Sequence, residues 1–313
     1  MPETITIAIK NEALRLGFTA CGFAQARHLE EDEKQFRNWL DKDMHGSMGY
    51  MANYFEKRTD PRKLVPGAKS VVSLLLNYYP EKTQEDPEAP VLSKYAYGID
   101  YHFIMKDRMK QLLSFMNEHF GPVEGRVFVD TAPVLDRAWA VQAGLGWIGK
   151  NSMLISRHHG SFVFIGEIIT NLELDYNSVP ESDFCGSCTR CIEACPTGAI
   201  NLNRTIDARK CISYLTIENR DEIPETYHDQ MENRVFGCDI CQDVCPWNRK
   251  RTPNQVKEFT PAPSLLAMSE KEWIGLDRDH FNQLFKKSAV KRAGYKGLRR
   301  NIDFLPGRDV TNK

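Results

Sequence analysis

The chain has 313 residues, of which 42% are hydrophobic and 27% are charged, values typical of a globular protein with two or three domains. Its formal net charge of −1 excludes a general polycation, so any nucleic-acid partner must bind a local basic face. Apolar runs such as residues 71–76 are too short to cross a bilayer, and the start of the chain lacks the pattern of a signal peptide. We therefore expect a protein of the cytoplasm that does not enter a membrane.

The N-terminal part of the chain predicts two helices and two strands. Apolar residues recur at helical spacing over residues 5–16 and again over residues 30–40. Residues 18–23 predict a short strand, and the β-branched, apolar run at residues 70–79 predicts a buried one. Cys21 lies in the first of these strands, and we interpret it as a buried structural thiol rather than a ligand.

Three segments of this part are candidates for ligand binding. Residues 43–49 nearly match the Asp-x-His-x-x-Gly loop whose histidine binds cobalt, but Met48 stands where the glycine belongs, so we interpret the match as chance. In the next polar loop, Arg58 either holds an anionic or amide-rich ligand or is a solvated surface charge. The aromatic residues between 95 and 102 either line a flat cofactor or pack at the edge of a core.

The middle of the chain predicts a strand that ends at an aspartate. A long amphipathic helix over residues 101–120 is followed by a strand at residues 126–129 and a helix at residues 133–143. Asp130 lies between the last two. A carboxylate at the end of a strand is a common catalytic placement in layered α/β folds, and the same residue type also caps helices, so both roles remain open. Asp136 is expected to pair with an arginine in a structural role.

A glycine-rich segment follows at residues 144–152 and spells Gly-x-Gly-x-x-Gly. A dinucleotide fingerprint would follow a strand and open a helix, whereas this segment follows a helix and leads into strands. It also fails as a phosphate loop, because Asn151 stands where a hydroxyl should bind magnesium. We predict a tight loop that approaches a bulky ligand, followed by a hairpin of residues 153–155 and 161–170.

Eight of the nine cysteines lie between residues 185 and 245. The first run has the Cys-x2-Cys-x2-Cys-x3-Cys-Pro spacing of a ferredoxin [4Fe–4S] site, and the second run repeats it with its first cysteine replaced by Val235. Because the last cysteine of each run crosses to the other cluster, the first cluster is predicted on Cys185, Cys188, Cys191 and Cys245. The second is predicted on Cys238, Cys241, Cys211 and Cys195.

Two other uses of these cysteines were weighed. Zinc sites also use Cys-x2-Cys pairs, but the repeated x3-Cys-Pro ending is not typical of them. A disulfide framework would need an oxidising compartment, which the absence of a signal peptide makes improbable. We therefore predict two [4Fe–4S] clusters.

The C-terminal part is basic. Residues 249–251 are all cationic, and residues 286–300 carry seven cations and no acid. Such a segment is either a solvated helix face or a nucleic-acid contact, and the aromatic Tyr295 and the lack of acids favour the contact.

Taken together, the chain from about residue 3 to residue 305 resembles the epoxyqueuosine reductases, which complete queuosine in transfer RNA. The resemblance rests on Glu56-Lys-Arg58, Val129-Asp130-Thr131, Asp136-Arg137-Ala138 and the segments 143–151, 166–171, 184–198, 210–216 and 233–246.

The resemblance implies a fold, two kinds of cofactor and a reaction. The fold is α+β in layers: a nitroreductase-like cobalamin-binding domain, a dicluster ferredoxin-like domain and a short helical C-terminal segment. The reaction reduces epoxyqueuosine to queuosine at the wobble position of transfer RNA, with electrons from an external low-potential donor passing through two [4Fe–4S] clusters to base-off cobalamin. Asp130 is the implied proton donor, and we expect desolvation against the apolar corrin face to raise its pKa. Cobalamin contacts are implied for Arg58, Asp130, Lys150, Asn151 and Ser213.

The predicted domains are residues 1–178, 179–250 and 251–313, in a monomer. Longer family members continue into a helical-repeat module that grips the anticodon stem, whereas this sequence stops soon after residue 302 and is either truncated or a short form, which would reduce its affinity for transfer RNA. Two other functions stay open: a reductive dehalogenase-like enzyme acting on a small organic halide, and an electron carrier. The N-terminal domain is larger than a carrier needs.

Overall fold

The computed structural model describes residues 2–176, 181–249 and 251–307. Its α-helices are α1 (Pro2–Arg15), α2 (Glu30–Asp41), α3 (Phe55–Thr59), α4 (Tyr101–Phe120), α5 (Asp136–Gln142), α6 (Arg190–Glu193), α7 (Ile212–Ile217), α8 (Ile240–Asp243), α9 (Pro263–Leu266), α10 (Glu270–Ile274), α11 (Arg278–Leu284) and α12 (Gly294–Asp303). Its strands are β1 (Ala20–Gln25), β2 (Ser70–Asn77), β3 (Val91–Leu92), β4 (Gly125–Phe128), β5 (Trp147–Ile148), β6 (Leu154–Ile155), β7 (Val163–Thr170) and β8 (Arg234–Phe236). Lys250 and the predicted domain boundary after residue 178 lie outside the described residues.

An antiparallel sheet with the strand order β1-β2-β7-β4 forms the centre of the N-terminal part. Seven of the eight residues of β2 are buried, as expected for an apolar strand covered on both faces. Helices α1 and α4 cover one face with Ile9, Met105 and Leu112, and α5 covers the other with Trp139. Because β4 is an edge strand, the chain that leaves it places Asp130 at the border of this layered unit.

The long helices and the buried strand predicted at residues 30–40, 101–120 and 70–79 are confirmed, whereas the predicted hairpin is wrong. Strand β6 pairs with β5, and β7 joins the central sheet between β2 and β4. The close approach of β5 and β6 explains the glycine-rich sequence, because a Cβ at Gly146 would lie 2.2 Å from the Ile155 carbonyl oxygen. The glycine-rich segment therefore shapes the β5–β6 hairpin.

The cysteine-rich segment and the C-terminal helices share one apolar core. Trp273, Phe285 and Ile302 pack in the same cluster as Leu215 and Phe236. At the centre of this core, the buried Asn301 side chain donates hydrogen bonds of 2.8 Å to the carbonyl oxygens of Thr216 and Val235. The division into residues 1–178, 179–250 and 251–313 stays a prediction. None of the described helices is both long and apolar enough to cross a membrane.

Candidate active site

A cavity of about 760 Å³ lies where the layered unit meets the cysteine-rich segment. This volume is within the range of binding sites for small molecules and cofactors. The side chains on its wall include apolar and aromatic residues, two of the predicted site residues and one of the predicted cluster ligands. These are Trp39, Met48, Met51, Tyr95, Ile206, Asp130, Ser213 and Cys211. The cavity therefore brings Asp130 and a cluster cysteine to a common space.

Asp130 lies in a strained loop between β4 and α5. Its φ is +53°, a left-handed conformation that is uncommon for a residue other than glycine. The N-cap of α5 is Leu135, so the structure rules out the helix-capping role for Asp130. The Asp130 side chain is 62% exposed, and it lines the cavity. Its carboxylate is thus available to a ligand.

Two residues at the start of α4 contact the Asp130 carboxylate. Tyr101 donates a hydrogen bond of 2.7 Å from its hydroxyl to Asp130 Oδ2, and His102 Nε2 lies 3.5 Å from the same oxygen. Asp100 caps α4 by accepting a hydrogen bond from the His102 backbone, and its Oδ1 also lies 2.8 Å from His102 Nδ1. The Tyr101 ring stacks on Phe164 of β7 with a centroid distance of 4.2 Å. The cap and the stack fix both side chains against Asp130.

These contacts determine which group of the site holds a proton. Partial desolvation by the surrounding protein raises the pKa of Asp130, but the contacts with His102 and Tyr101 and the charge of Arg292 outweigh this effect and hold the pKa below its usual range. The described residues alone therefore lower this pKa, and the increase expected against a corrin face stays a prediction. Burial lowers the pKa of His102, but its contacts with Asp100 and Asp130 outweigh burial and raise it to about 9. At neutral pH the proton lies on His102, beside an ionised Asp130.

A second pair of carboxyl groups lies beneath the site. Glu167 on β7 is fully buried, and its neighbour is Asp136. The charge of Arg137 also acts on Asp136, as predicted, but no ion pair joins Asp136 to a described arginine. Burial raises the pKa of Asp136 to about 6 and raises that of Glu167 as well. Both Glu167 oxygens and Asp136 Oδ1 have no hydrogen-bond partner among the described residues. Burial and the neighbouring charge of Asp136 therefore favour the protonated form of Glu167.

The eight clustered cysteines, all of them described residues, form no disulfide and lie in two neighbouring groups. In the first group, the thiols of Cys185 and Cys188 raise the pKa of Cys245 together with burial, although Cys245 belongs to the other run. In the second, burial and the neighbouring thiol of Cys195 raise the pKa of Cys211. Burial also raises the pKa of Cys241, and the thiols that add to this effect are Cys238, Cys211 and Cys191. Cys191 therefore lies close to the second group.

The other predicted cofactor contacts lie in different places. Ser213 lines the cavity, whereas Arg58, Lys150 and Asn151 are not among its lining residues. Arg58 is buried and donates hydrogen bonds to the carbonyl oxygens of Tyr50 and Asn53. Lys150 Nζ donates a hydrogen bond of 2.7 Å to the Gly186 carbonyl oxygen, and Asn151 donates one of 3.3 Å to that of Cys241. Lys150 and Asn151 thus hold the two cysteine loops.

Sequence reasoning did not assign roles to several residues of the cavity. Tyr101 and His102 were grouped with other aromatic residues, although an aspartate immediately before a Tyr-His pair at a helix start was a usable signal. Lys106 on α4 was not identified, and it lines the cavity with Lys291 and Arg292 of the basic C-terminal segment. These cations come together only in the folded chain, because α4 and residue 291 are far apart in sequence.

Two family models match the chain. Residues 58–131 match the model described as epoxyqueuosine reductase QueG, DUF1730, and residues 184–248 match the 4Fe-4S double cluster binding domain. The cysteine-rich segment is therefore a domain that binds two [4Fe–4S] clusters. The epoxyqueuosine reductase of Cyclobacterium marinum is 52% identical over 304 residues, which cover 97% of each chain.

Solved structures agree with these matches. The crystal structure of an epoxyqueuosine reductase with an epoxyqueuosine-modified tRNA-Tyr stem loop has a TM-score of 0.88 at 29% identity, covering 96% of this chain and 80% of that one. A structure of the Bacillus subtilis epoxyqueuosine reductase, described with its catalytic aspartate loop swung out of the active site, has a TM-score of 0.85 at 27% identity, with the same coverage. A catabolic reductive dehalogenase shares the fold at a TM-score of 0.50 and 16% identity, covering 96% of this chain and 38% of its own. The chain belongs to the epoxyqueuosine reductase family.

Proposed function

We propose that this protein reduces epoxyqueuosine to queuosine at the wobble position of transfer RNA, with Asp130 and His102 supplying the protons. The observation that carries the proposal is the cavity of about 760 Å³ whose wall contains both Asp130 and Cys211. Electrons from the iron–sulfur domain and protons from the carboxylate can thus reach one substrate. Family membership at 52% identity supports the reaction, and the relative with a bound tRNA stem loop supports the substrate.

The reaction requires two electrons and two protons for each epoxide. One C–O bond breaks as the ring opens, the second breaks as water leaves, and a carbon–carbon double bond forms. Each C–O bond breaks more easily when an acid protonates the departing oxygen. The site therefore needs a proton donor that can be recharged once during each turnover.

Four side chains meet this requirement. They are Asp100, Tyr101 and His102 at the start of α4, and Asp130 after β4. We infer that His102 holds a proton at Nε2, 3.5 Å from Asp130 Oδ2, and passes it through Asp130 to the substrate oxygen. Asp100 orients the imidazole through Nδ1, and Tyr101 fixes the carboxylate with its 2.7 Å hydrogen bond. A second proton from solvent recharges His102 before water leaves. Asp130 thus acts as the group that contacts substrate, although its own pKa is low.

The residues around the cavity also fit the predicted cofactors. Two groups of thiols adjoin one another, and Cys211 of the second group faces the cavity. The wall combines aromatic and thioether side chains with charged and hydroxyl-bearing ones, and its aromatic and thioether part suits the flat face of a corrin ring. When bound, cobalamin would supply a low-potential cobalt centre for the two-electron reduction. We propose that Ser213 contacts it from the cavity wall, while Arg58, Lys150 and Asn151 remain contacts implied by the family.

Transfer RNA would bind through lysines at the cavity. Lys106 and Lys291 line it, and neither forms an ion pair with a described residue. The arginines of the same basic segment are used inside the protein: Arg292 binds Glu218, Arg299 binds Asp303, and Arg300 donates to backbone carbonyl oxygens. A splayed base of a single-stranded anticodon loop can then enter the cavity while lysines hold its phosphates. We also propose that the protein is a monomer and that it acts in the cytoplasm, where transfer RNA is modified.

The decisive experiment incubates the anaerobic holoenzyme with epoxyqueuosine-containing transfer RNA, cobalamin and dithionite, followed by nucleoside analysis. We expect the wild type to form queuosine, and Asp130→Asn to retain both clusters and bound cobalamin while its turnover falls by at least a hundredfold, about the effect of losing a general acid. Normal turnover by Asp130→Asn would show that the acid lies elsewhere. Failure of the wild type itself, with both cofactors bound, would reject the proposed reaction.

A further inference from the structure

The first group of cysteines lies at the surface and not at the cavity. None of Cys185, Cys188 and Cys191 lines the cavity, whereas Cys211 of the other group does. The loop that carries them is exposed at Ser182, Asp183, Phe184, Gly186, Ser187 and Arg190. Phe184, next to Cys185, is 41% exposed, which is unusual for a large aromatic side chain. The first cluster is thus the one that an external reductant can approach.

Three exposed arginines surround this loop, and together with Phe184 we name them the arginine face. The guanidinium carbon of Arg157 lies 5.4 Å from the centre of the Phe184 ring. Arg190 starts α6 beside Cys191, and Arg249 lies two residues after Trp247, whose indole nitrogen donates a hydrogen bond of 3.4 Å to the Phe184 carbonyl oxygen. None of the three guanidinium groups forms an ion pair or a hydrogen bond with any residue that the structure describes.

The other cations near the loop already have partners, and the acids near it are fewer than the cations. Arg204 pairs with Asp183, Lys150 is held by the Gly186 carbonyl oxygen, and Glu193 accepts a hydrogen bond from Thr189. With Glu181, the side chains of the loop and its contacts carry five cations and three acids, an excess that offsets the charge of about −2 that an oxidised cluster and its four thiolates bring to the loop. The basic character of the face therefore lies in its three guanidinium groups that form no ion pair with a described residue, and an exposed aromatic group lies among them.

We propose that the arginine face docks a small acidic one-electron carrier protein that reduces the first cluster. This inference rests on the proposed function, which needs two electrons from outside the protein. Complementary charge steers such encounters and raises the association rate, and exposed aromatic groups are favoured at the centre of transient interfaces. Each encounter oxidises one carrier by one electron, so two encounters serve one epoxide. The protons come from the cavity and not from the carrier.

RNA is the other macromolecule that a basic face could bind, and the placement of the charges argues against it here. The lysines suited to phosphates line the cavity beside Asp130, where the modified base must enter. The arginine face instead surrounds the cysteines that are absent from the cavity wall. A stem loop bound only there would leave Asp130 without its base, so we assign Arg249 to the arginine face and not to the nucleic-acid contact that the sequence suggested for residues 249–251.

The test compares the wild-type holoenzyme with the variant R157E/R190E/R249E, using reduced flavodoxin as an acidic protein donor and dithionite as a small one. We expect the KM for flavodoxin to rise by at least tenfold at low salt, with dithionite-driven turnover and the KM for the tRNA stem loop unchanged. The matched control K10E/K82E/K110E reverses three exposed lysines elsewhere and should behave like the wild type.

A second measurement does not depend on turnover. Stopped-flow mixing of reduced flavodoxin with the oxidised holoenzyme reports the rate of cluster reduction from the bleaching of its visible absorbance, and we expect this rate to fall in the arginine variant alone. An equal loss with dithionite would show that the arginines serve the cluster itself. A raised KM for the stem loop with normal reduction by flavodoxin would assign the face to RNA, and unchanged kinetics would reject the docking site. If reduction by flavodoxin proceeds as proposed while no queuosine forms, the docking site stands and the proposed reaction fails.

Discussion

At the scale of single residues, the chemistry of the cavity depends on where its proton is held. The Asp130 carboxylate is ionised because Tyr101 and His102 stabilise its charge, so it can donate a proton only after receiving one. His102 is the nearest source, and Asp100 on its other nitrogen fixes the direction in which that proton points. In the proposed mechanism, Asp130 and His102 therefore act as one unit in which the histidine stores the proton and the aspartate delivers it.

This arrangement predicts the pH dependence of turnover. The pKa of His102 is raised to about 9, so the imidazole is protonated below that value and loses its proton as the pH rises through it. Wild-type turnover should therefore fall above about pH 9. We expect His102→Gln to lower turnover by roughly ten- to a hundredfold and to abolish this alkaline limb, with the KM for transfer RNA unchanged. Anaerobic pH–rate profiles measure both effects.

The control for this prediction is His158→Gln, because His158 is exposed at a turn away from the cavity. Its profile should match that of the wild type. An alkaline limb that persists in His102→Gln would show that another group supplies the proton, and Tyr101 would be the next candidate.

At the scale of secondary-structure elements, the strand β7 carries a buried carboxyl group beneath the active site. Glu167 is opposite Ser73 of β2 and Phe128 of β4, so it lies in the middle of the sheet. Its neighbour Asp136 is the first residue of α5, the helix that follows the Asp130 loop. The two carboxyl groups thus lie where the sheet meets the segment that carries Asp130.

The pair also predicts how stability changes with pH. Because both pKa values are raised by burial, the folded state binds protons more strongly than the unfolded state, and stability falls as the pH rises from about 4 through about 6. Glu167→Gln keeps the shape but removes one ionisable group. As the pH rises, the free energy of unfolding of the variant should therefore increase relative to that of the wild type. The increase is at most about 1.4 kcal/mol per pH unit for each proton.

Thermal unfolding of the holoenzymes below and above about pH 6 measures this difference. Glu118→Gln, on the exposed side of α4, is the control and should leave the pH dependence unchanged. A Glu167→Gln variant that loses stability equally at all pH values would show that the carboxyl pair is ionised or that the amide does not fit.

The elements also show what the sequence could predict and what it could not. Helix α4 and strand β2 were recognisable because long apolar periodicity and a continuous apolar run are properties of local sequence. The pairing of β6 with β5 was not recognisable, because strand pairing depends on which strand the chain meets in space. The local indication of this pairing was Gly146, whose lack of a side chain allows the close approach of β5 and β6. Asp130 was identified through family resemblance, but its low pKa follows from Tyr101 and His102, which a linear motif around residue 130 does not contain.

At the scale of the whole molecule, an almost neutral chain separates its charges into two basic regions with different tasks. The arginine face surrounds the exposed cysteine loop, and the lysines Lys106 and Lys291 line the cavity. Cys211 of the iron–sulfur domain lines the cavity, whereas Cys185 is next to the exposed Phe184. In the proposed function, reductant and substrate therefore approach different groups of cysteines and can bind at the same time.

This separation predicts a specific effect of salt on RNA binding. Each lysine that neutralises a phosphate releases counterions, so the logarithm of the binding constant falls with the logarithm of the salt concentration by about 0.7–0.9 per contact. We expect Lys106→Gln/Lys291→Gln to weaken binding of the anticodon stem loop at low salt and to reduce this slope by roughly 1.5. Fluorescence anisotropy across a salt series, on the anaerobic holoenzyme, provides the measurement. The control variant Lys10→Gln/Lys110→Gln removes two exposed lysines elsewhere and should leave the slope unchanged. If the cavity variant also has the slope of the wild type, the phosphate contacts lie on other residues.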